Sequence, residues 1–209
     1  MVGIPVPDGY RPITPEMGAT YKHQSTLVPA NTLLLEVLIR DEDAEQAIRE
    51  PRIPLVGIRS IAIQASMSAI GRKVTQDDLR AVQRIVVKEN SAKIENLQER
   101  SKLLLGRILS LSEEYGGDTR FGLSLSSVLP LPVNDESPSH FTASLLMRGK
   151  VTMPDGTEVE AASAATATTM IVRDRMLMIF MAGKADEVEL QRATHKNLVR
   201  DILNFDFNR

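Results

Sequence analysis

The sequence predicts an α+β fold: an antiparallel sheet with a long central helical segment and a C-terminal helix packed on it. Three observations carry that prediction. Short runs of β-branched or alternating apolar residues lie before residue 66 and after residue 120, as half-buried strands require. Between them, a capped segment that starts at Thr75 repeats its apolar residues at helical spacing. After them, Met176–Met181 is apolar throughout and a helical stripe follows it. Strands grouped in runs, rather than alternating with helices, lead to helices on an antiparallel sheet.

Taken in order, residues 1–30 are rich in Pro, Gly and Thr and lack periodicity, so they are expected to be an extended N-terminal arm with a short strand. Residues 31–209 are expected to form a single α+β domain. Asn31–Arg40 is a short apolar run with β-branched residues and reads as a strand. Asp41–Glu50 is acidic and suits two helical turns, which Pro51 and Pro54 would end. Leu55–Ala65 carries Val56, Ile58, Ile61 and Ile63 and reads as a second strand paired with the first.

Thr75-Gln-Asp-Asp78 is an N-cap followed by acidic residues, which the positive end of the helix dipole favours. Leu79, Val82, Ile85 and Val86 continue at helical spacing, and the pattern resumes from Ile94 to Leu109. Asn90 and Ser91 interrupt it, so one long helix or two consecutive ones fit. Gly116-Gly117 closes the region.

Strand patterns return with Phe121, Leu123 and Leu125, and Pro130, Pro132 and Asn134-Asp135 are expected to break them. His140–Thr152 and Glu158–Val172 read as a hairpin around Pro154-Asp-Gly156. Arg173-Asp-Arg175 leads tightly into Met176–Met181, whose apolar character places it near the middle of the sheet. Asp186–Asn204 closes the chain as a helix with Val188, Ala193, Leu198, Val199, Ile202 and Leu203 as its buried stripe.

Composition excludes several chemistries. The chain has 209 residues and no Cys, so thiol catalysis, Cys-based zinc sites and disulfides are all ruled out. A net charge of -2 and 4% aromatic content offer neither a basic field nor stacking platforms, so nucleic acid is not expected as a partner. No apolar run reaches the ~18 residues of a transmembrane segment. Two compartments stay open, the cytoplasm or, for the mature part of an exported protein, the periplasm or medium. Pro5, Pro7, Pro12 and Pro15 favour the exported reading as a lead-in after a removed leader.

No catalytic, cofactor-binding or metal-binding residue is predicted. His23, His140 and His195 fall in three separate elements and are expected on the surface or partly buried, not around a metal. Glu113-Glu114 and Asp41-Glu42-Asp43 are paired carboxylates, but at helix ends they fit a solvated face better than acid–base work. Ser124, Ser126, Ser127 and Ser163 stand in no nucleophile elbow, and no phosphate loop is present. Met147, Met153, Met170, Met176, Met178 and Met181 cluster in one region. Alternation puts Met176, Met178 and Phe180 on one strand face and Leu177, Ile179 and Met181 on the other. Uncovered, such a face would take an apolar ligand; covered, it is core. Lys88–Arg107 mixes charge with apolar positions and fits either a partner-binding or a sheet-packed helix.

Pro7-Asp-Gly-Tyr10, the late hairpin from Gly149 to Ala182 and the final amphipathic helix Ala185–Asn204 follow one another as in the Mog1/PsbP-like α/β/α sandwich family, which the chain resembles. The central helical region is longer than in that family, and Ala, Thr and Met stand where its hairpins carry aromatics. The resemblance implies a protein-binding adaptor without shared catalytic residues. The expected function is therefore a non-catalytic binding or accessory protein without a cofactor, engaging a protein partner and able to form a homodimer. The alternative is a small-molecule or lipid carrier with an apolar cavity near the Met-rich hairpin.

Overall fold

Leu177, Ile179 and Met181 on one side of a strand, and Met176 on the other, each need cover, and the architecture supplies a helical layer for both. The computed structural model describes residues 4–26, 32–55, 58–90, 122–152 and 156–207. Its elements are β1 (Tyr10–Pro12), α1 (Ala19–Thr26), β2 (Thr32–Arg40), α2 (Asp41–Arg49), β3 (Ser60–Ser66), α3 (Gln76–Asn90), β4 (Gly122–Ser137), β5 (His140–Thr152), β6 (Glu158–Val172), β7 (Arg175–Lys184) and α4 (Val188–Phe207). The strands pair antiparallel throughout, in the order β1-β2-β3-β7-β6-β5-β4. The expected α+β class is thus the observed one, and β7, the apolar run, is the central strand.

On one face, Leu38, Ile61, Ile63, Met170, Leu177, Ile179 and Met181 pack against Leu198, Val199 and Ile202 of α4. On the other, Val37 and Ile39 meet Met17 and the alanines Ala44 and Ala47 of α2, while Met176 meets Val74 and Val82 beside α3. Asp41, Glu42 and Asp43 do open α2, and Asp41 accepts a 2.7 Å bond from Arg11 of β1. Thr75 and Asp78 close a reciprocal cap on α3: the Asp78 N–H donates to the Thr75 hydroxyl at 3.3 Å, and the Thr75 N–H to the Asp78 carboxylate at 2.8 Å. These bonds, with Arg72, hold the Asp78 carboxyl below its usual range.

Four expectations need correction. β3 begins at Ser60, not Leu55, because the Leu55 N–H is taken by the Thr20 hydroxyl at 3.0 Å and its side chain packs toward α2. β4 runs unbroken through Pro130 and Pro132. It is an edge strand, where proline's missing N–H costs no ladder bond, and an irregularity between Leu131 and Asp135 takes up two extra residues of β4. Ala193 is exposed; Gln191 and His195 take buried places on α4 instead. All three histidines are buried: His23, His140 and His195 are 3%, 9% and 0% exposed. The Met153-Pro-Asp segment of the hairpin turn, most of Lys88–Arg107, Glu113-Glu114 and Gly116-Gly117 lie outside the described residues.

Candidate functional site

An apolar groove of about 820 Å³ lies at one end of the sheet. Ile4, Leu35, Ala65, Ile70, Met176 and Leu177 line it. Three features of the sequence place them there. Leu35 is the extra residue of a β-bulge between Leu34 and Glu36, which turns that end of β2 away from regular pairing with β3. A short 3₁₀ turn, Met67–Ala69, ends β3 and carries the chain to Ile70. The tight turn at Arg173 and Asp174, both with positive φ (47° and 59°), starts β7 alongside. Large apolar side chains remain exposed around the groove: Leu33 at 48%, Leu35 at 41%, and Met67 and Ile70 at 54% each. Leu35 and Ile70 line the groove itself, and exposed apolar side chains gathered at a groove mark an interaction site more often than an isolated leucine does.

Glu36 and Arg175 are the ionisable residues that line the groove. The Arg175 guanidinium donates to the Arg72 carbonyl at 3.2 Å. Neither has an oppositely charged partner among the described residues. With no histidine and no adjacent acid pair, the groove can bind but holds no acid–base constellation.

A second polar assembly lies beneath α4. The Thr142 and Thr168 hydroxyls bond across β5 and β6 at 2.7 Å, and Thr168 Oγ1 meets His195 Nδ1 at 2.8 Å. One pair further along, Ser144 bonds Thr166 at 3.0 Å and Thr166 donates to Gln191 Oε1 at 3.1 Å. His195 Nε2 is buried without a hydrogen-bond partner in the structure. Burial drives the His195 imidazole pKa down to about 3, so it is neutral at physiological pH. This seam is a helix-docking layer that no ligand reaches. The sequence conceals it, because Thr and Ser at alternate strand positions look like a solvent face.

At the β4–β5 turn, Ser137 Oγ lies 2.8 Å from His140 Nδ1, and Asp135 Oδ2 lies 3.3 Å from His140 Nε2. Ser, His and Asp are the residue types of a hydrolase triad, yet the arrangement is not one. His140 Nε2 has no partner with hydrogen-bond geometry. The Ser137 oxygen accepts the Ser139 N–H at 3.1 Å, a bond that staples the turn. The small cleft beside Asp135 and His140 is lined by α4 residues and not by Ser137. A nucleophile must face the space its substrate would occupy.

A third cluster gathers Arg40, Arg59, Asp43, Glu42, Lys184 and Glu187 around a cleft of about 220 Å³. Arg59 pairs with Glu187 at 2.5 Å, and Arg40 lies 5.5 Å over the Tyr10 ring. Burial raises the Tyr10 pKa, against the lowering pull of Arg59 and Arg40. Three cations face three carboxylates here, with Arg59–Glu187 as the close pair, while the Arg40 and Arg59 Nε atoms are buried without a hydrogen-bond partner.

The remaining candidates separate. Ser124, Ser126 and Ser127 are exposed on β4 and Ser163 is half-buried on β6. The described methionines of the hairpin mostly sit within the sheet layers, and Met176 alone among them reaches the groove. Among the described residues no three His, Asp or Glu side chains are placed to hold a metal ion, and no helix is long and apolar enough to cross a membrane.

No family model and no curated protein matches the chain. Among solved structures, it is similar to the Ran-binding protein Mog1p of Saccharomyces cerevisiae at 12% identity, a TM-score of 0.31 and coverage of 97% of this chain and 85% of that one. A point mutant of protein Mog1 is similar at 12% identity and a TM-score of 0.30, covering 97% of this chain and 86% of that one.

Proposed function

We propose that the chain is a non-catalytic binding or accessory protein that takes up a protein partner at the groove between the ends of β2, β3 and β7. One observation carries this reading: Leu35 and Ile70 stay exposed while lining a groove that is otherwise walled mainly by apolar side chains. A photo-crosslinking amino acid at Ile70, introduced into the full chain in its native host, tests it. The expected result is capture of a recurrent partner, lost when Leu35→Asp is added. Capture indifferent to Leu35→Asp, or no capture, would overturn it.

A second reading, a small-molecule or lipid carrier, is favoured by one dimension of the groove. The groove's 820 Å³ lies inside the ~300–1,000 Å³ common to small-ligand sites. Native mass spectrometry of the gently purified protein separates the two. A reproducible adduct of small-molecule mass, absent from Leu35→Asp, favours the carrier; bare protein removes it.

A further inference from the structure

The outer edge of β2 is only partly used. β1 covers Leu38–Arg40, and one further bond runs from the Ile13 N–H to the Val37 carbonyl at 2.9 Å. The chain then turns away into a 3₁₀ helix at Pro15–Met17. From Leu33 to Glu36 no strand pairs with that outer edge among the described residues. The nearby Ile4–Pro7 stretch contains Pro5 and Pro7, which lack N–H donors, so it is ill-suited to extend the ladder. This open stretch borders the apolar groove and carries Leu33 and Leu35 exposed. Natural edges usually carry lysine or proline to repel a further strand; Leu33-Leu34-Leu35 has neither.

We propose that the groove receives its partner by strand addition: an extended polypeptide segment hydrogen-bonds to β2 along Leu33–Glu36 and lays alternate apolar side chains into the groove. The inference rests on the protein-binding reading above and specifies its mode. Charge selects the occupant further. Glu36 and Arg175 line the groove without opposite charges, so the segment that fits carries a basic residue for Glu36 and a carboxylate for Arg175, with apolar residues between. A fatty acid would satisfy Arg175 and the apolar lining but would leave Glu36 and the main-chain edge unpaired. The polypeptide uses all of them.

Panning the full chain against a random twelve-residue peptide library tests this. The expected outcome is enrichment of extended apolar sequences flanked by one basic and one acidic residue. In the best peptide, N-methylation of the amides that face β2 should weaken binding by about tenfold each, while methylation of the alternate amides changes little. Glu36→Lys should lose the peptide and regain it when the peptide's basic residue is made acidic. A library that enriches nothing, a peptide indifferent to N-methylation, or binding unchanged by Glu36→Lys overturns strand addition. Partner capture at Ile70 that survives such a result would leave the protein-binding reading standing, so the two fail separately.

Discussion

The two flanks of the sheet solve the same problems in opposite ways. The β1–β3 flank buries Leu38, Ile61 and Ile63 as a continuous apolar layer, yet leaves part of its edge and four large apolar side chains to solvent. The β4–β6 flank places Thr142, Ser144, Thr166 and Thr168 under α4 and satisfies them with Gln191 and His195. Its outer strand carries Pro130 and Pro132, which block further pairing. The first flank leaves part of an edge without a described strand partner; the second specifies how a helix docks and guards its outer strand with proline, although Leu129 and Val159 stay exposed on that flank too. The binding proposed above uses the first.

The largest expected effect tests how each flank is filled. Ile63→Ala, at a fully buried position of β3, should cost about 2–5 kcal/mol because it leaves a cavity in a layer with no slack. Thr168→Val keeps the shape but strands Thr142 and His195, and should cost about 1–3 kcal/mol. Combining Thr168→Val with His195→Leu should cost less than the sum, since the orphaned partner goes too. Denaturant unfolding of the four proteins checks this. Strict additivity would mean the seam is not a coupled unit.

Much of this contrast was legible in the sequence, and its limits are physical. Met176–Met181 read as a strand near the middle of the sheet, and Thr75 with Asp78 as the start of a helix, and both stand so in the structure. Pro130 and Pro132 misled because proline excludes a central strand but not an edge one, and edges are set by long-range pairing. Ala193 and His195 exchanged expected places for a similar reason: hydrophobicity suggests which residue is buried, but the threonines opposite α4 decide it here. An apolar cavity near the Met-rich hairpin was among the expectations, but the groove's lining was not legible. It forms where Ile4, Leu35, Ile70 and Met176 converge, and no local pattern links four positions so far apart.

A smaller effect separates the flanks by pH. The His195 pKa is depressed in the folded protein, so the unfolded chain takes up a proton near the ordinary value of 6.5 while the folded chain does not until about 3. Its contribution is complete above pH 6.5 and is lost as pH falls through that window, at roughly 1.4 kcal/mol per pH unit. Burial lowers the His23 pKa as well, so that histidine acts in the same direction. His195→Asn, which can still bond Thr168, should flatten the acid limb by about one proton's worth. An unchanged slope in unfolding curves between pH 6.5 and 4.5 would show that the imidazole accepts a proton while docked.

The smallest expected effect on stability bears most directly on the edges. Leu35→Lys replaces a side chain that is 41% exposed, and Pro132→Thr restores an N–H to the guarded edge; neither disturbs a filled layer. Each should shift stability by no more than about 0.5 kcal/mol. Their effects on association should be opposite. Lysine places a charge on an apolar edge and should suppress any concentration-dependent self-association of the native chain, whereas threonine at 132 removes part of a barrier and should promote it. Sedimentation velocity over a hundredfold range of concentration, beside thermal unfolding, reads both. If Leu35→Lys leaves association unchanged while Pro132→Thr raises it, the β4 edge, not the β2 edge, is where copies of this chain meet.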